Sequence, residues 1–90
     1  MFIVVSYDIS DDRRRDKVAK VLEGFGERVQ ESVFECHLSP RHYWKLRSRL
    51  SKVLSLPQDN IRYYHLCREC VGRIAAFGKP VATTPQCYMA

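Results

Sequence analysis

The chain has 90 residues, of which 46% are hydrophobic and 28% charged, and its formal net charge is +5. This length allows one small domain with a thin core, for which we expect oligomerisation to compensate, and the composition excludes a disordered chain. No apolar run approaches the roughly 20 residues that a bilayer-spanning helix needs, and no secretory leader is recognisable, so we expect a cytoplasmic protein with no membrane partner. The excess of basic residues favours a polyanionic partner, nucleic acid first.

The first predicted element is a strand over residues 2–8, with the sequence Phe-Ile-Val-Val-Ser-Tyr-Asp. A short apolar run rich in β-branched residues indicates a strand that is buried on both faces, in the centre of a sheet. Asp8 ends the strand, where side chains often point into a ligand-binding crevice. Aspartate is also a common turn residue, so this position alone leaves both a binding site and a simple turn open.

The next predicted element is a helix from about Asp12 to Glu23. Ser10, Asp11 and Asp12 are residues that cap helices and suit the positive end of the helix dipole. Apolar residues at helical spacing form one stripe: Val18, Val21, Leu22 and Phe25. Basic residues occupy the first turn and the other side: Arg13, Arg14, Arg15, Lys17 and Lys20. Gly24 and Gly26 provide the helix stop and a turn.

Residues 28–38 are predicted to be extended, with a bulge or a break into two strands near residues 30–32. Ser39-Pro40 is a strong start signal and predicts a second helix over about Pro40–Leu54. The buried stripe of this helix is expected to be Tyr43, Leu46, Leu50 and Val53. Four basic residues at helical spacing form what we call the basic ridge: Arg41, Lys45, Arg49 and Lys52. Such a ridge is either a solvated face or, doubled across a dimer, a surface that follows the phosphates of a duplex.

The last third of the chain contains a predicted strand over Ile61–Cys67 and a possible short strand over Arg73–Gly78. The resulting order, βαββαβ, is typical of the α+β ferredoxin-like fold, in which two helices cover one face of an antiparallel sheet. We therefore predict a ferredoxin-like domain over residues 1–78. The tail over residues 79–90 is expected either to be loose or to pack on a dimer partner as an edge strand. This fold alone does not specify a function.

Four cysteines, at positions 36, 67, 70 and 87, are expected to be free thiols in a reducing compartment. Cys67 and Cys70 have CxxC spacing. A zinc site needs four ligands, and the other candidates show no second pair of recognisable spacing. A redox pair normally opens a helix after a strand, whereas this pair is expected to follow a strand without opening a helix. We therefore interpret the cysteines as incidental thiols.

Two motifs are more specific than the fold. Residues 7–15 read Tyr-Asp-Ile-Ser-Asp-Asp-Arg-Arg-Arg, and residues 28–35 read Arg-Val-Gln-Glu-Ser-Val-Phe-Glu. Taken together over residues 1–38, these motifs closely resemble the small CRISPR-associated nuclease family, the "Cas-two" subunit of CRISPR adaptation. Length and strand order agree with that family over the rest of the chain.

The resemblance implies a symmetric homodimer that binds Mg²⁺ between its protomers and associates with a larger CRISPR integrase, "Cas-one". Asp8 matches the family's metal-associated aspartate, and a two-fold axis would bring it to face its symmetry mate. The ion would polarise a scissile phosphate and activate water. The expected catalytic residues are Asp8 (also the metal ligand), Tyr7, Arg15 and Ser10. The expected nucleic-acid-binding residues are Arg13, Arg14, Lys17, Arg28, Arg41, Lys45, Arg49 and Lys52.

Three functions remain open at this point. The first is a Mg²⁺-dependent endonuclease that cuts RNA or DNA through paired Asp8, and the second is a non-catalytic scaffold that binds duplex DNA and bridges integrase subunits. The third is a ferredoxin-like module that binds RNA or handles metal. It is disfavoured by the absence of an aromatic RNA-binding signature on the strands and by the cysteine spacing.

Lys17 stands where some relatives of the resembling family have arginine. Lysine keeps the positive charge but lacks the planar guanidinium, which can bind phosphate through two hydrogen bonds.

Overall fold

The computed structural model describes residues 1–75 of the chain. Their elements are β1 (Phe2–Asp8), α1 (Asp12–Glu23), β2 (Glu27–Gln30), β3 (Val33–His37), α2 (Pro40–Ser51), β4 (Asn60–Leu66) and α3 (Arg68–Val71). The strands form one sheet in the order β2-β3-β1-β4, and each neighbouring pair is antiparallel. The predicted α+β ferredoxin-like arrangement, with β1 in the centre of the sheet, is therefore confirmed.

The two faces of the sheet differ in burial. Ile3, Val5 and Tyr7 point to one face and are buried in the core with residues of α1 and α2. Val4 and Ser6 point to the other face and are only half-buried, so the prediction that β1 is buried on both faces is wrong for this side. We call this side the open face; strand alternation and register place on it Val4, Ser6, Asp8, Val33, Glu35, Arg62 and Tyr64.

The core forms where the apolar stripes of the two long helices meet the covered face of the sheet. Val18 and Leu22 of α1 and Leu46 and Leu50 of α2 are fully buried, together with Phe34 of β3. These stripes were predicted from helical spacing and are confirmed. Each such side chain contributes about 1.5–3 kcal/mol of burial free energy, so the thin core depends on every one of them.

Both predicted helix starts are confirmed by their caps. The Asp11 carboxylate accepts a hydrogen bond from the N–H of Arg14 at 2.9 Å, and the Ser39 hydroxyl accepts one from the N–H of His42 at 3.2 Å. Helix α2 ends at Ser51 and not at Leu54. The N–H groups of Val53 and Leu54 both bond to the carbonyl of Leu50, because the chain tightens into a turn there.

The extended segment at residues 28–38 contains both irregularities that were offered as alternatives. The register between β2 and β3 shifts between Arg28 and Gln30, which is a bulge, and residues 31 and 32 form the turn that separates the two strands. Strand β2 is therefore a short edge strand whose turn lies beside the end of β1, where the N–H of Tyr7 bonds to the carbonyl of Ser32 at 3.1 Å.

The chain after β4 departs from the prediction. A helical turn, α3, occupies Arg68–Val71, and residues 73–75 lie outside any strand. The N–H groups of Arg73 and Ile74 bond back to the carbonyls of Cys70 and Val71, so they are not available to a strand. Residues 76–78 of the proposed strand and the tail 79–90 lie outside the described residues. No helix within residues 1–75 is long and apolar enough to cross a membrane.

Candidate functional site

Asp8 lies at the end of the central strand, where three open clefts meet. It lines a cleft on the open face with Ser6, Asn60, Arg62 and Tyr64. A second cleft runs from Asp8 and Ser10 along the loop at residues 56–60. The third contains Asp8 together with Tyr7, Ile9, Arg15, Asp16, Arg28, Glu31 and Ser32. Because Asp8 is exposed and belongs to all three clefts, its carboxylate is accessible from several directions.

Strand geometry determines why Asp8 is accessible. It is the last residue of β1 and pairs with Asn60 at the start of β4, so neither neighbouring strand extends beyond it. The alternation of β1 places it on the open face, in the same row as Val4 and Ser6. Within residues 1–75, no hydrogen bond or ion pair engages its side chain, so the carboxylate is available to a ligand.

In the third cleft, the carbonyl oxygen of Glu31 accepts hydrogen bonds from two side chains, those of Tyr7 and Arg28. The Tyr7 hydroxyl donates to it at 3.2 Å, and the Arg28 guanidinium donates to it from Nε at 3.1 Å and from a terminal nitrogen at 2.8 Å. The Arg28 guanidinium also lies 3.5 Å from the Tyr7 hydroxyl and 5.5 Å from the centre of the Phe34 ring. The turn between β2 and β3 thus holds the positive charge of Arg28 next to the strand that ends at Asp8.

Arg15 provides the second positive charge of that cleft. Its guanidinium donates to the carbonyl of Ile9 at 3.1 Å and forms an ion pair with Asp12. Since Ile9 directly follows Asp8, the bond fixes Arg15 close to the end of β1. Ser10 lines the neighbouring cleft beside the loop at residues 56–60. The structure places the four residues that were expected to be catalytic around the end of β1: Tyr7 and Arg15 line the third cleft with Asp8, and Ser10 lines the second cleft with Asp8.

Arg14 occupies a different environment from its neighbours. Its Nε donates to one carboxylate oxygen of Asp59 at 2.8 Å and a terminal nitrogen donates to the other at 3.0 Å. Asp59 is only 3% exposed and also accepts a hydrogen bond from the N–H of Ser55 at 2.8 Å. The hydrogen bonds from Arg14 and Ser55 hold the pKa of Asp59 below its usual value, and the pair raises the pKa of Arg14. This arrangement gives Arg14 a structural role, whereas its nucleic-acid-binding role stays a prediction.

The remaining predicted nucleic-acid-binding residues lie on exposed helix surfaces. Arg13 and Lys17 are exposed on α1, and the basic ridge residues are exposed along α2 and its C-cap: Arg41, Lys45, Arg49 and Lys52. Arg49 also lies 5.6 Å from the centre of the Phe25 ring. The predicted positive surface on α2 therefore exists, and whether it binds nucleic acid stays a prediction.

The described residues contain no group of three or more His, Cys, Asp and Glu side chains that could hold a metal ion. The metal ligand predicted in each protomer is the carboxylate of Asp8. Mg²⁺ commonly binds proteins through one or two carboxylates and fills its other positions with water and substrate phosphates. The exposed, unpaired carboxylate of Asp8 fits that mode, and two copies of it fit better than one.

Sequence reasoning missed several residues around Asp8. Asn60, Arg62 and Tyr64 line its cleft because β4 runs antiparallel beside β1 and its alternation matches that of Ser6 and Asp8. The predicted antiparallel pairing of these two strands was the sequence feature that could have placed these residues near Asp8. No local sequence pattern distinguishes Asp59 from an ordinary loop residue, because its partner Arg14 is 45 residues away.

Comparison with known proteins assigns the chain to a family. The sequence model of the family described as "CRISPR associated protein Cas2" matches residues 1–74. The chain belongs to the Cas2 family. Among curated Cas2 relatives, "CRISPR-associated endoribonuclease Cas2 3" of Synechocystis is 45% identical over 86 residues, which is 94% of each chain. Another protein of that name, from Chloroflexus aurantiacus, is 47% identical over 99% of this chain and 97% of its own length.

Solved Cas2 structures support the same assignment. Streptococcus pyogenes Cas2 is 32% identical and superposes with a TM-score of 0.77, covering 87% of this chain and all (100%) of that one. A chain of the partial Cas6-RT-Cas1–Cas2 complex is 28% identical, with a TM-score of 0.78 and 93% coverage of both chains. The resemblance read from the motifs at residues 7–15 and 28–35 is therefore confirmed.

Proposed function

We propose that this Cas2-family chain is a homodimeric subunit of CRISPR adaptation that cleaves phosphodiesters in a Mg²⁺-dependent reaction, with RNA as its first substrate class. The observation that carries the proposal is the position of Asp8, an exposed carboxylate at the junction of three clefts, one of which contains Arg15 and Arg28. Both of the curated relatives described above are named endoribonucleases, which favours RNA over DNA.

The open face offers the surface for a homodimer. Val4 and Val33 are half-buried there, and Tyr64 is 46% exposed, so apolar area remains for a partner to cover. A two-fold contact uses the same patch of both protomers, and a residue faces its own copy where it lies close to the axis. Asp8 lies on this face in the same row as Val4 and Ser6. We place the axis next to Asp8, so that the two Asp8 carboxylates face each other and would supply two ligands to one cation.

The side chains near Asp8 have separate tasks in this proposal. Asp8 would hold Mg²⁺, which when bound would supply Lewis acidity at a scissile phosphate and lower the pKa of a nearby water. Arg15 and Arg28 offset the negative charge that builds up on the phosphate. Tyr7 acts as a positioning residue, because its hydroxyl donates to the carbonyl of Glu31 that also orients Arg28. Ser10 orients a water or a phosphate oxygen from the neighbouring cleft.

The alternative is a scaffold that binds duplex DNA and bridges integrase subunits without cutting. Two observations favour it: the basic ridge is exposed along α2, and a chain of similar fold belongs to a complex that contains Cas1. This alternative requires the ridge and a Cas1 partner, whereas cleavage requires Asp8.

A cleavage assay tests the proposal. Purified chain is incubated with short single-stranded RNA and with duplex DNA, in Mg²⁺ or in EDTA, and Asp8→Asn is compared with Glu23→Gln. Glu23 is an exposed carboxylate at the far end of α1, so Glu23→Gln controls for the loss of one negative charge. We expect RNA to be cut only in Mg²⁺, and Asp8→Asn to lower the rate by at least about a hundredfold while Glu23→Gln leaves it unchanged.

The other outcomes distinguish the two functions. Undiminished cutting by Asp8→Asn would contradict the proposed site. If no substrate is cut but all three proteins bind duplex DNA, the scaffold function replaces the nuclease function.

A further inference from the structure

Two neighbouring thiols, those of Cys67 and Cys70, lie at the opposite end of the sheet from Asp8, where β4 leads into α3. Cys67 is the N-cap of α3 and Cys70 lies in its single turn; their Sγ atoms are 3.3 Å apart, and both side chains are exposed. The Sγ of Cys67 also accepts a hydrogen bond from the N–H of Cys70 at 3.4 Å. The expectation that this CxxC pair does not open a helix is therefore wrong.

We infer that Cys67 and Cys70 form a redox-active dithiol that a low-molecular-weight disulfide, such as oxidised glutathione, converts into an intramolecular disulfide. A disulfide bond is about 2.05 Å long, so two sulfurs that are 3.3 Å apart need to approach by about 1.25 Å. Because both residues belong to one turn, this approach moves no strand. Exposure leaves the pair open to a small disulfide, and the proximity of the second thiol favours ring closure over a lasting mixed disulfide.

The contacts assign different roles to the two thiols. The hydrogen bond from the N–H of Cys70 and the contact between the two sulfurs lower the pKa of Cys67, and the same sulfur contact raises the pKa of Cys70. Since the thiolate is the nucleophile, Cys67 is the attacking residue and Cys70 the resolving one. Cys36 is a contrasting thiol in the same protein, because burial in the core raises its pKa to about 11.

The exchange proceeds in two balanced steps. The Cys67 thiolate attacks one sulfur of the small disulfide, forming a mixed disulfide and releasing one thiolate. Cys70 then loses its proton and attacks the Sγ of Cys67, which forms the intramolecular bond and releases the second thiolate. The two electrons lost by the pair reduce the small disulfide to two thiols, which take up the two protons.

A metal site is a poorer explanation of the same pair. Soft metals such as zinc take four ligands, and two thiolates supply only half of them. Within residues 1–75, no third His, Cys, Asp or Glu joins the pair in a ligand cluster. Among residues 1–75 of one protomer, the dithiol is therefore complete as an exchange site and provides half the ligands of a zinc site.

Peptide mapping tests the inference. The full-length chain carrying Cys87→Ser is incubated with oxidised glutathione, quenched with an alkylating agent and digested with trypsin. Trypsin cleaves after Arg68, between the two cysteines, so the predicted disulfide joins the peptide of residues 63–68 to the peptide of residues 69–73. We expect this linked pair to accumulate, dithiothreitol to reverse it, and Cys36 to remain unmodified until the protein is denatured.

Two matched variants in the same background test the assigned roles. Cys70→Ser should retain glutathione on Cys67, because the resolving thiol is missing. Cys67→Ser should slow modification of Cys70 by about tenfold, because the more acidic thiol is missing. The inference is overturned if the linked peptides do not form, if glutathione remains on both cysteines of the parent protein, or if the two variants react at equal rates.

Discussion

Arg14 and Asp59, which are 45 residues apart in sequence, form an ion pair with two parallel hydrogen bonds, at 2.8 and 3.0 Å. The pair joins the first turn of α1 to the loop that precedes β4. Both of these segments border Asp8, since Ser10 precedes α1 and Asn60 pairs with Asp8. The ion pair is therefore a brace between two sides of the candidate site, and Asp59 itself lines the second cleft.

Removing one member of this pair should destabilise the fold. In Arg14→Ala, the buried carboxylate of Asp59 keeps its bond to Ser55 but loses both bonds from the guanidinium, and an unpaired buried charge is costly. We expect the melting temperature to fall by several degrees. Arg13→Ala, which removes an exposed neighbouring arginine, should change it by at most about one degree. Thermal unfolding followed by circular dichroism makes the comparison, and equal shifts in the two variants would contradict the bracing role.

The same pair predicts a pH dependence of stability. The pKa of Asp59 is lowered in the folded protein, so its contribution is complete above the unfolded pKa of about 3.9 and is lost as pH falls through the lower folded value. The stability difference between the wild type and Asp59→Asn should therefore be full at pH 6–7 and shrink below about pH 4. Urea unfolding at both pH values measures the difference, and a gap that widens in acid would have the wrong sign.

Gly26, at the turn before β2, should not tolerate a side chain. A Cβ at this position would clash with the Sγ of Cys36 and the carbonyl oxygen of Glu35, and would lie 3.0 Å from the Cα of Cys36. Because backbone atoms of β3 cannot move aside easily, we expect Gly26→Ala to lower the free energy of unfolding by about 1–3 kcal/mol or more. Gly24→Ala is the matched control, since its Cβ would meet only the carbonyl of Val21 at 3.4 Å. Denaturant unfolding should show a much smaller change for the control.

The basic ridge should control the salt dependence of duplex binding. Replacing Arg41, Lys45, Arg49 and Lys52 by alanine should weaken binding without sequence preference, and the slope of log K against log salt should fall by about 1 for each side chain that no longer neutralises a phosphate. Arg68→Ala, which removes an exposed charge on α3, is the control. Binding measured by fluorescence anisotropy over a salt series gives the slope. An unchanged slope in the ridge variant would mean that the ridge is only a solvated face.

The open face should control oligomeric state. Tyr64→Asp places a charge on this face and should convert a dimer to monomer, because the charge would have to be buried at the contact. Trp44→Asp alters a residue on α2 that is 60% exposed, away from that face, and should leave the dimer intact. Light scattering after size-exclusion chromatography gives the mass. A dimer that survives Tyr64→Asp would argue for a different contact surface.

Most helices and strands were predicted correctly because the residues that determine them lie close together in the sequence. The caps at Asp11 and Ser39 and the stripe from Val18 to Phe25 depend on residues within one or two turns, and they are present as predicted. The end of α2 and the turn of α3 were missed. Backbone hydrogen bonds after Leu50 determine the first, and the N-cap of α3 is Cys67, which is not among the residue types that usually cap helices.

The candidate site was predictable where the motif is continuous in sequence. Residues 7–15 carry Asp8, Tyr7, Ser10 and Arg15, and the structure brings them together. The site also contains Arg62 and Tyr64, which reach Asp8 only through the pairing of β1 with β4. Sequence spacing also could not distinguish Arg14 from Arg13 and Arg15. Arg14 differs from them in its ion pair with Asp59, which is distant in the sequence.

The strand order has a consequence for how the protein is made. β1 is the first strand of the chain, yet its two neighbours are β3 and β4, and Phe2 pairs with Leu66. One edge of β1 therefore stays without its hydrogen-bonding partner until synthesis has passed residue 66. The sheet cannot be completed before most of the chain has been translated. Contacts of such long sequence separation slow folding, and an unpaired apolar strand is prone to aggregate meanwhile. Expression at lower temperature, where fewer nascent chains are present at once, should therefore raise the soluble yield.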